Sequence, residues 1–127
     1  MIKRFEGAAG RAVLEEALSQ QRIVLGNDAL ATQLADVGTP MEVAMGDTII
    51  NQGAHDSDVF FILTGQFQVK VHGREVAKRG PTELVGEMSA VVSTASRSAT
   101  VVALEPSIVV KVSAQDFKEA ANKFPRM

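Results

Sequence analysis

The 127 residues make one ordinary domain, with no comfortable room for a second independent core. A composition of 46% apolar and 22% charged residues excludes wholesale disorder, and the absence of cysteine excludes a disulfide framework, a thiolate zinc site and a cysteine nucleophile. Thirteen basic against fifteen acidic side chains give a net charge of −2, which argues against a general nucleic-acid surface while leaving room for a local basic pocket.

The start, Met1-Ile2-Lys3-Arg4-Phe5-Glu6-Gly7, has basic residues with no apolar stretch behind them, so no secretory signal is expected. No apolar run approaches the roughly 18 residues of a membrane span, and a cysteine-free chain fits a reducing cytoplasm. Over residues 11–20 the apolar positions Val13, Leu14, Ala17 and Leu18 fall at helical spacing, with Glu15 and Glu16 between them. Asn27 is a good N-cap for a second helix through residues 29–34, which ends near Gly38-Thr39-Pro40. From Met41 the texture changes to short β-rich runs at residues 41–44, 48–50, 59–63, 67–71, 75–77, 100–104 and 108–112. Turn signals about every eight to twelve residues predict an antiparallel sandwich or a small barrel. His72-Gly73 reads as a tight hairpin. Ser113-Ala114-Gln115-Asp116 resembles a capping box, with Asp116 in place of the usual Glu or Gln. It opens an amphipathic helix whose Phe117, Ala120, Ala121 and Phe124 can face the core, until Pro125 stops or redirects it.

The stretch over residues 84–103 interrupts the strands with a glycine, an acid, a short apolar turn, a polar loop and one arginine. Gly86 lets backbone approach a ligand where a Cβ would intrude. The N–H groups of Met88 and Ser89, at the start of a short helix, are then free to bind an anion. Arg97 supplies a permanent charge with a planar donor fork suited to a phosphate. Glu87 can accept hydrogen bonds from a sugar hydroxyl. Together they describe a pocket for a ribose bearing one phosphate.

Gly86-Glu87-Met88-Ser89, the ten positions from Glu87 to Arg97, and then Arg97-Ser98-Ala99-Thr100-Val101 resemble the phosphate-binding cassette of the cyclic nucleotide-binding domain family. Residues 46–53 resemble that family's early strand and turn, and Phe60-Phe61-Ile62-Leu63-Thr64-Gly65 its central strand. The resemblance implies a mainly β fold with flanking helices. A helical leader (1–38) precedes an eight-stranded antiparallel, jelly-roll-like β-roll (39–112, cassette at 84–103), and a C-terminal helix (113–127) completes a single domain. It implies that Glu87 takes the ribose 2′-hydroxyl and Arg97 the cyclic phosphate. Gly86, Met88, Ser89 and Ser98 would add donors to the phosphate, with Ala99 beside them in the cassette. Ser98 stands where many kinase regulatory domains have alanine, as in bacterial catabolite activator proteins, and its hydroxyl is open to the phosphate or to a base edge. All bases share the ribose and phosphate that the cassette reads. Selectivity would come from a lid and from pocket walls, for which Val71, Val85, Met88 and Ser98 are the candidates.

Arg4-Phe5-Glu6-Gly7 with Arg11, Ala35-Asp36-Val37-Gly38 and Val76-Ala77-Lys78-Arg79-Gly80-Pro81 resemble bacterial proteins that place this domain before a TIR-type effector domain, as in the Pycsar anti-phage systems. This implies a cytoplasmic, non-catalytic sensor of a 3′,5′-cyclic mononucleotide that regulates an effector such as a TIR NADase. Cyclic UMP or cyclic CMP is favoured over cyclic AMP or GMP, and no cofactor is expected beyond the ligand. Relatives usually continue past the last helix into another that covers the base. The sequence stops two residues after Pro125 and is expected to be the sensor portion of a longer protein.

The rival reading is a dimerisation or interaction module of a catabolite-activator-like transcription regulator or another cyclic AMP- or GMP-responsive protein. A chain of that type would continue into a long helix and a helix-turn-helix; homo-oligomerisation is left open, and no membrane or nucleic-acid partner is expected. An enzyme is disfavoured. Ser93, Thr94, Ser96 and Ser98 have no histidine nearby in sequence and no nucleophile elbow, and neither a dinucleotide fingerprint nor a Walker-type loop occurs. His55 and His72 make a poor metal set, and Asp56-Ser57-Asp58 lacks EF-hand spacing and reads as a solvated turn. Lys78-Arg79 near Arg74 reads as a solvated hairpin end, and Phe60, Phe61, Phe67, Phe117 and Phe124 as core.

Overall fold

The computed structural model describes residues 2–91 and 96–124. A short 3-10 turn (Ile2–Phe5) leads into α1 (Gly7–Ser19) and α2 (Asp28–Val37). The spacing of apolar residues places the first helix from residue 11, and the structure starts it at Gly7, because Ala8 and Ala9 are strong helix formers even without an apolar stripe. Asn27 caps α2 as expected, its Oδ1 accepting from the Leu30 N–H at 3.0 Å.

Eight strands follow: β1 (Thr39–Val43), β2 (Thr48–Ile50), β3 (Val59–Thr64), β4 (Phe67–Val71), β5 (Arg74–Arg79), β6 (Leu84–Val85), β7 (Thr100–Ala103) and β8 (Ser107–Val112). The five-residue α3 (Glu87–Val91) sits between β6 and β7, and α4 (Ala114–Lys123) follows β8. The strands pair antiparallel throughout in two four-stranded sheets, ordered β1-β8-β3-β6 and β2-β7-β4-β5. This is the eight-stranded roll with flanking helices that the resemblance implies. The strand absent from the run of β-rich segments is β6, which is two residues long and lies at the mouth of the glycine-acid stretch.

Two apolar clusters hold the roll. The central strands of the first sheet, β3 and β8, are buried on both faces along most of their length. Val59 and Phe61 of β3, with Ile108, Val110 and Val112 of β8, pack toward the helices against Leu14, Leu18, Leu30 and Leu34. The alternate residues Phe60, Ile62 and Val109 point into the roll, where they meet Ile50, Phe67, Val101 and Ala103 of the second sheet. Double burial explains why these strands read as continuous apolar runs rather than as an alternation. Phe117 of α4 packs on Phe61, ring centroids 6.3 Å apart, and Ser113 caps α4 by accepting from the Asp116 N–H at 3.1 Å. Ala120 is buried, Ala121 and Phe124 are half-buried, and Pro125 lies outside the described residues.

The β4–β5 hairpin turns on His72 and Gly73 with φ of 52° and 78°. Two successive positive φ values make the type I′ turn that matches the twist of paired strands, and glycine occupies its second position at no steric cost. Buried Gln21, just past α1, ties the helical leader to the roll, its Nε2 donating to the Ile62 carbonyl at 2.9 Å.

Candidate functional site

A cavity of about 210 Å³ opens between the second sheet, the short strand β6 and residues 86–89 and 97–99. Val85 and Gly86 form one end of its wall, Glu87, Met88 and Ser89 the first turn of α3, and Arg97, Ser98 and Ala99 the approach to β7. The sequence reading named these eight residues as ligand-facing, and the fold brings them together. It also named Val71, which does not line the cavity. Val71 shares a strand face with Val69, which does, but it sits further along β4 at the hairpin end, opposite Arg74.

Arg97 organises the site. Its side chain is buried, the residue being 3% exposed, and a buried guanidinium must be paired and hydrogen-bonded to be tolerated. Nη1 donates to the Gly86 carbonyl at 3.0 Å, while Nη2 donates to the Asp58 carbonyl at 2.7 Å and to Asp56 Oδ2 at 2.9 Å. Nε is buried and has no partner among the described residues. The main chain is fixed too: the Arg97 N–H donates to the Ala54 carbonyl at 2.7 Å, and the Gly53 N–H donates to the Arg97 carbonyl at 2.8 Å. The charge is therefore held in one orientation by backbone and carboxylate together.

The carboxylate that pairs with Arg97 is that of Asp56, not Glu87. Arg97's hydrogen bond and charge hold the Asp56 carboxyl below the usual carboxylate range, against the opposing effect of burial. Reading 56–58 as a solvated turn misses this pair. It also misses the ion pair of Asp58 with Lys111 of β8, at 3.4 Å. Glu87 is exposed on the cavity wall, with its carboxylate available to a ligand. Ser89 is buried, and Met88 is 64% exposed, a large apolar side chain left in the open beside the cavity.

Gly86 meets its neighbours differently from the sequence expectation. Its φ is 92°, and a Cβ there would stand 2.7 Å from the Asp58 carbonyl oxygen and 2.8 Å from Arg97 Nη1. The space that the absent side chain leaves is taken by Arg97 itself.

Arg79 also lines the cavity, as do Ile50, Val69, Leu84 and Val101. The basic cluster at 78–79 was expected to be a solvated hairpin end, and Arg79 is instead half-buried on the cavity side. Its strand register would have revealed this, but no periodicity within 74–79 reports it. His72 keeps a turn role, its backbone N–H donating to Gln52 Oε1 at 2.8 Å. Among the described residues no cluster of His, Cys, Asp or Glu could hold a metal ion, and no helix is long and apolar enough to cross a membrane. Ser93 and Thr94 lie outside the described residues.

Residues 40–124 match the model of the cyclic nucleotide-binding domain. Over 125 residues, 98% of this chain, the sequence is 61% identical to the Pycsar effector protein PaPycTIR of Pseudomonas aeruginosa and 43% identical to the Pycsar effector protein XpPycTIR of Xanthomonas perforans. The chain spans 41% of the length of each of these relatives. A solved structure of Sp-2Cl-cAMPS bound to PKAR CBD2 superposes with a TM-score of 0.81 at 21% identity, covering 89% of this chain and 77% of that one. The regulatory domain of Toxoplasma gondii PKA with cAMP gives a TM-score of 0.78 at 21% identity, over 87% and 44% of the two chains. At these identities the likeness is one of fold.

Proposed function

Because this chain belongs to the cyclic nucleotide-binding domain family, we propose that it is the non-catalytic sensor domain, spanning residues 1–127, of a cytoplasmic Pycsar-type TIR effector. Its ligand is a 3′,5′-cyclic mononucleotide, with cyclic UMP or cyclic CMP favoured. The observation that carries the reading is the buried Arg97 guanidinium, oriented by three protein acceptors at the wall of a cavity that Glu87 also lines. A cation fixed before the ligand arrives loses little freedom on binding, which favours a phosphate over the water it displaces.

In this reading Arg97 and Ser89 hold the cyclic phosphate, Glu87 accepts the ribose 2′-hydroxyl, and the exposed Met88 lies against the base with Ser98 and Val85. The effector that reads the bound state lies outside this chain, in keeping with the greater length of its relatives. The ligand leaves chemically unchanged.

Calorimetry against cyclic UMP, CMP, AMP and GMP tests this. At least one should bind and should raise thermal stability by mass action, about 2.7 kcal/mol at a hundredfold excess over Kd. The ribo form should be preferred over its 2′-deoxy analogue, and Glu87→Ala should erase that preference, because a site built to bond a hydroxyl is left with an unpaired group when the hydroxyl is missing. Silence from all four nucleotides would leave an interaction module as the better account.

A further inference from the structure

The cavity holds a second cation that the reading above does not use. In the β4–β5 pair Arg79 stands directly opposite Phe67, and Phe67 stands opposite Ala103 of β7. Residues paired across antiparallel strands point to the same face. Arg79 therefore shares the inner face of the second sheet with Phe67, Val69, Val101 and Ala103, which belong to the apolar interior of the roll. It lines the cavity and is half-buried, whereas Arg74, opposite Val71 at the hairpin end, is exposed and does not line it.

A guanidinium drawn onto an apolar face needs acceptors. Arg79 Nη1 donates to the Lys78 carbonyl at 2.9 Å, and among the described residues the side chain has no carboxylate partner. Its other N–H groups are thus free to donate within a cavity whose lining also includes the apolar Ile50, Val69, Leu84 and Val101, whose side chains offer no acceptor.

Resting on the nucleotide reading, we propose that Arg79 is a specificity-determining residue whose free N–H groups donate to the carbonyl oxygens of a keto base. Arginine carries donors only and does not lose its proton. Once Arg97 holds the phosphate and Glu87 the ribose, the ligand's remaining acceptors are on its base. Uracil presents two carbonyl oxygens, and guanine presents O6 beside N7, both of which suit a donor fork. Cytosine and adenine place an amino group at the matching edge, where donor would face donor. The pocket should therefore favour cyclic UMP over cyclic CMP, and cyclic GMP over cyclic AMP.

An inward charge on an edge strand also discourages pairing with another sheet, a role that would leave base preference untouched. Titration of wild type, Arg79→Met and Arg79→Gln with the four cyclic nucleotides separates the two, each variant first shown to be folded by its unliganded thermal melt. The wild type should prefer each keto-base ligand over its amino-base counterpart. Arg79→Met should weaken the keto-base ligands by roughly 5- to 150-fold, the worth of a good side-chain-to-base contact, and leave the amino-base ligands within about threefold, closing the gap. Arg79→Gln should fall between. Equal weakening of all four, unchanged binding, or a wild type without keto preference would overturn the assignment while leaving the nucleotide reading intact. A wild type that binds none of the four defeats the nucleotide reading itself.

Discussion

The two sheets of the roll have four strands each but different surroundings. The first, β1-β8-β3-β6, lies between the helices and the roll interior, and its central strands expose almost nothing: Val59, Phe61, Ile62 and Val110 are each 0% exposed. The second, β2-β7-β4-β5, turns one face to the interior and the other to solvent, with Val76 of its edge strand 60% exposed. On the inner face of the second, Arg79 brings a charge to the cavity wall. A sheet packed on both sides leaves no room for a ligand, and a sheet packed on one side can spare part of its inner face for a cavity. The second sheet gives Ile50, Val69, Arg79 and Val101 to the cavity wall, the first only Leu84 and Val85 of its short edge strand β6, and residues 86–89 and 97–99 complete the lining.

That division can be broken experimentally. Phe61→Ala should have the largest effect on the fold. It removes a ring packed against Phe117 in the doubly covered sheet and should cost about 3–5 kcal/mol in urea unfolding. The matching change in the other sheet, Val76→Ala on the exposed face of β5, should stay within about 0.5 kcal/mol. Comparable losses at both positions would mean that the two sheets share the load.

Arg97→Ala should weaken nucleotide binding by about 2–5 kcal/mol in calorimetry, the usual loss when one partner of a desolvated charge pair is truncated. It should also lower unfolding stability, because the Gly86 and Asp58 carbonyls lose their donor. Lysine should not rescue it, since an ammonium cannot serve three acceptors spread around a planar fork.

A smaller effect is expected at Asp56. Its carboxyl is about half-exposed, so the pair with Arg97 should contribute no more than about 1 kcal/mol. Because the folded state holds this carboxyl below its ordinary value, the unfolded chain binds the proton more readily. The contribution is complete above about pH 4 and fades as the pH falls through the lowered folded value. Thermal melts of Asp56→Asn and wild type should differ at pH 7 and converge toward pH 3; a constant difference would assign Asp56 a purely steric role.

What the sequence discloses follows the same boundary. The scaffold is legible: the continuous apolar run over β3, the N-caps Asn27 and Ser113 and the His72-Gly73 turn are local signals, and each appears in the structure. The cassette residues are legible through their spacing and their resemblance to a family. Asp56 is not, because its partner lies 41 residues away and nothing in a polar turn announces it. Arg79 is not, because which face it takes depends on the pairing of β5 with β4, including the register shift after Val69. Val71 is the converse: strand alternation puts it on the correct face, and only the extent of the cavity leaves it out.

The main-chain bonds that join Arg97 to Gly53 and Ala54 bear on how this domain can vary. A polar surface turn between strands is ordinarily a place where residues can be added or removed at little cost. The turn between β2 and β3 is denied that freedom. Its backbone clasps the arginine from one side, and the Asp56 carboxylate and the Asp58 carbonyl hold the guanidinium from the other, so one added residue would move two of the three acceptors relative to the third. The length of this loop is therefore fixed as firmly as any position in the core, though its side chains are mostly in water.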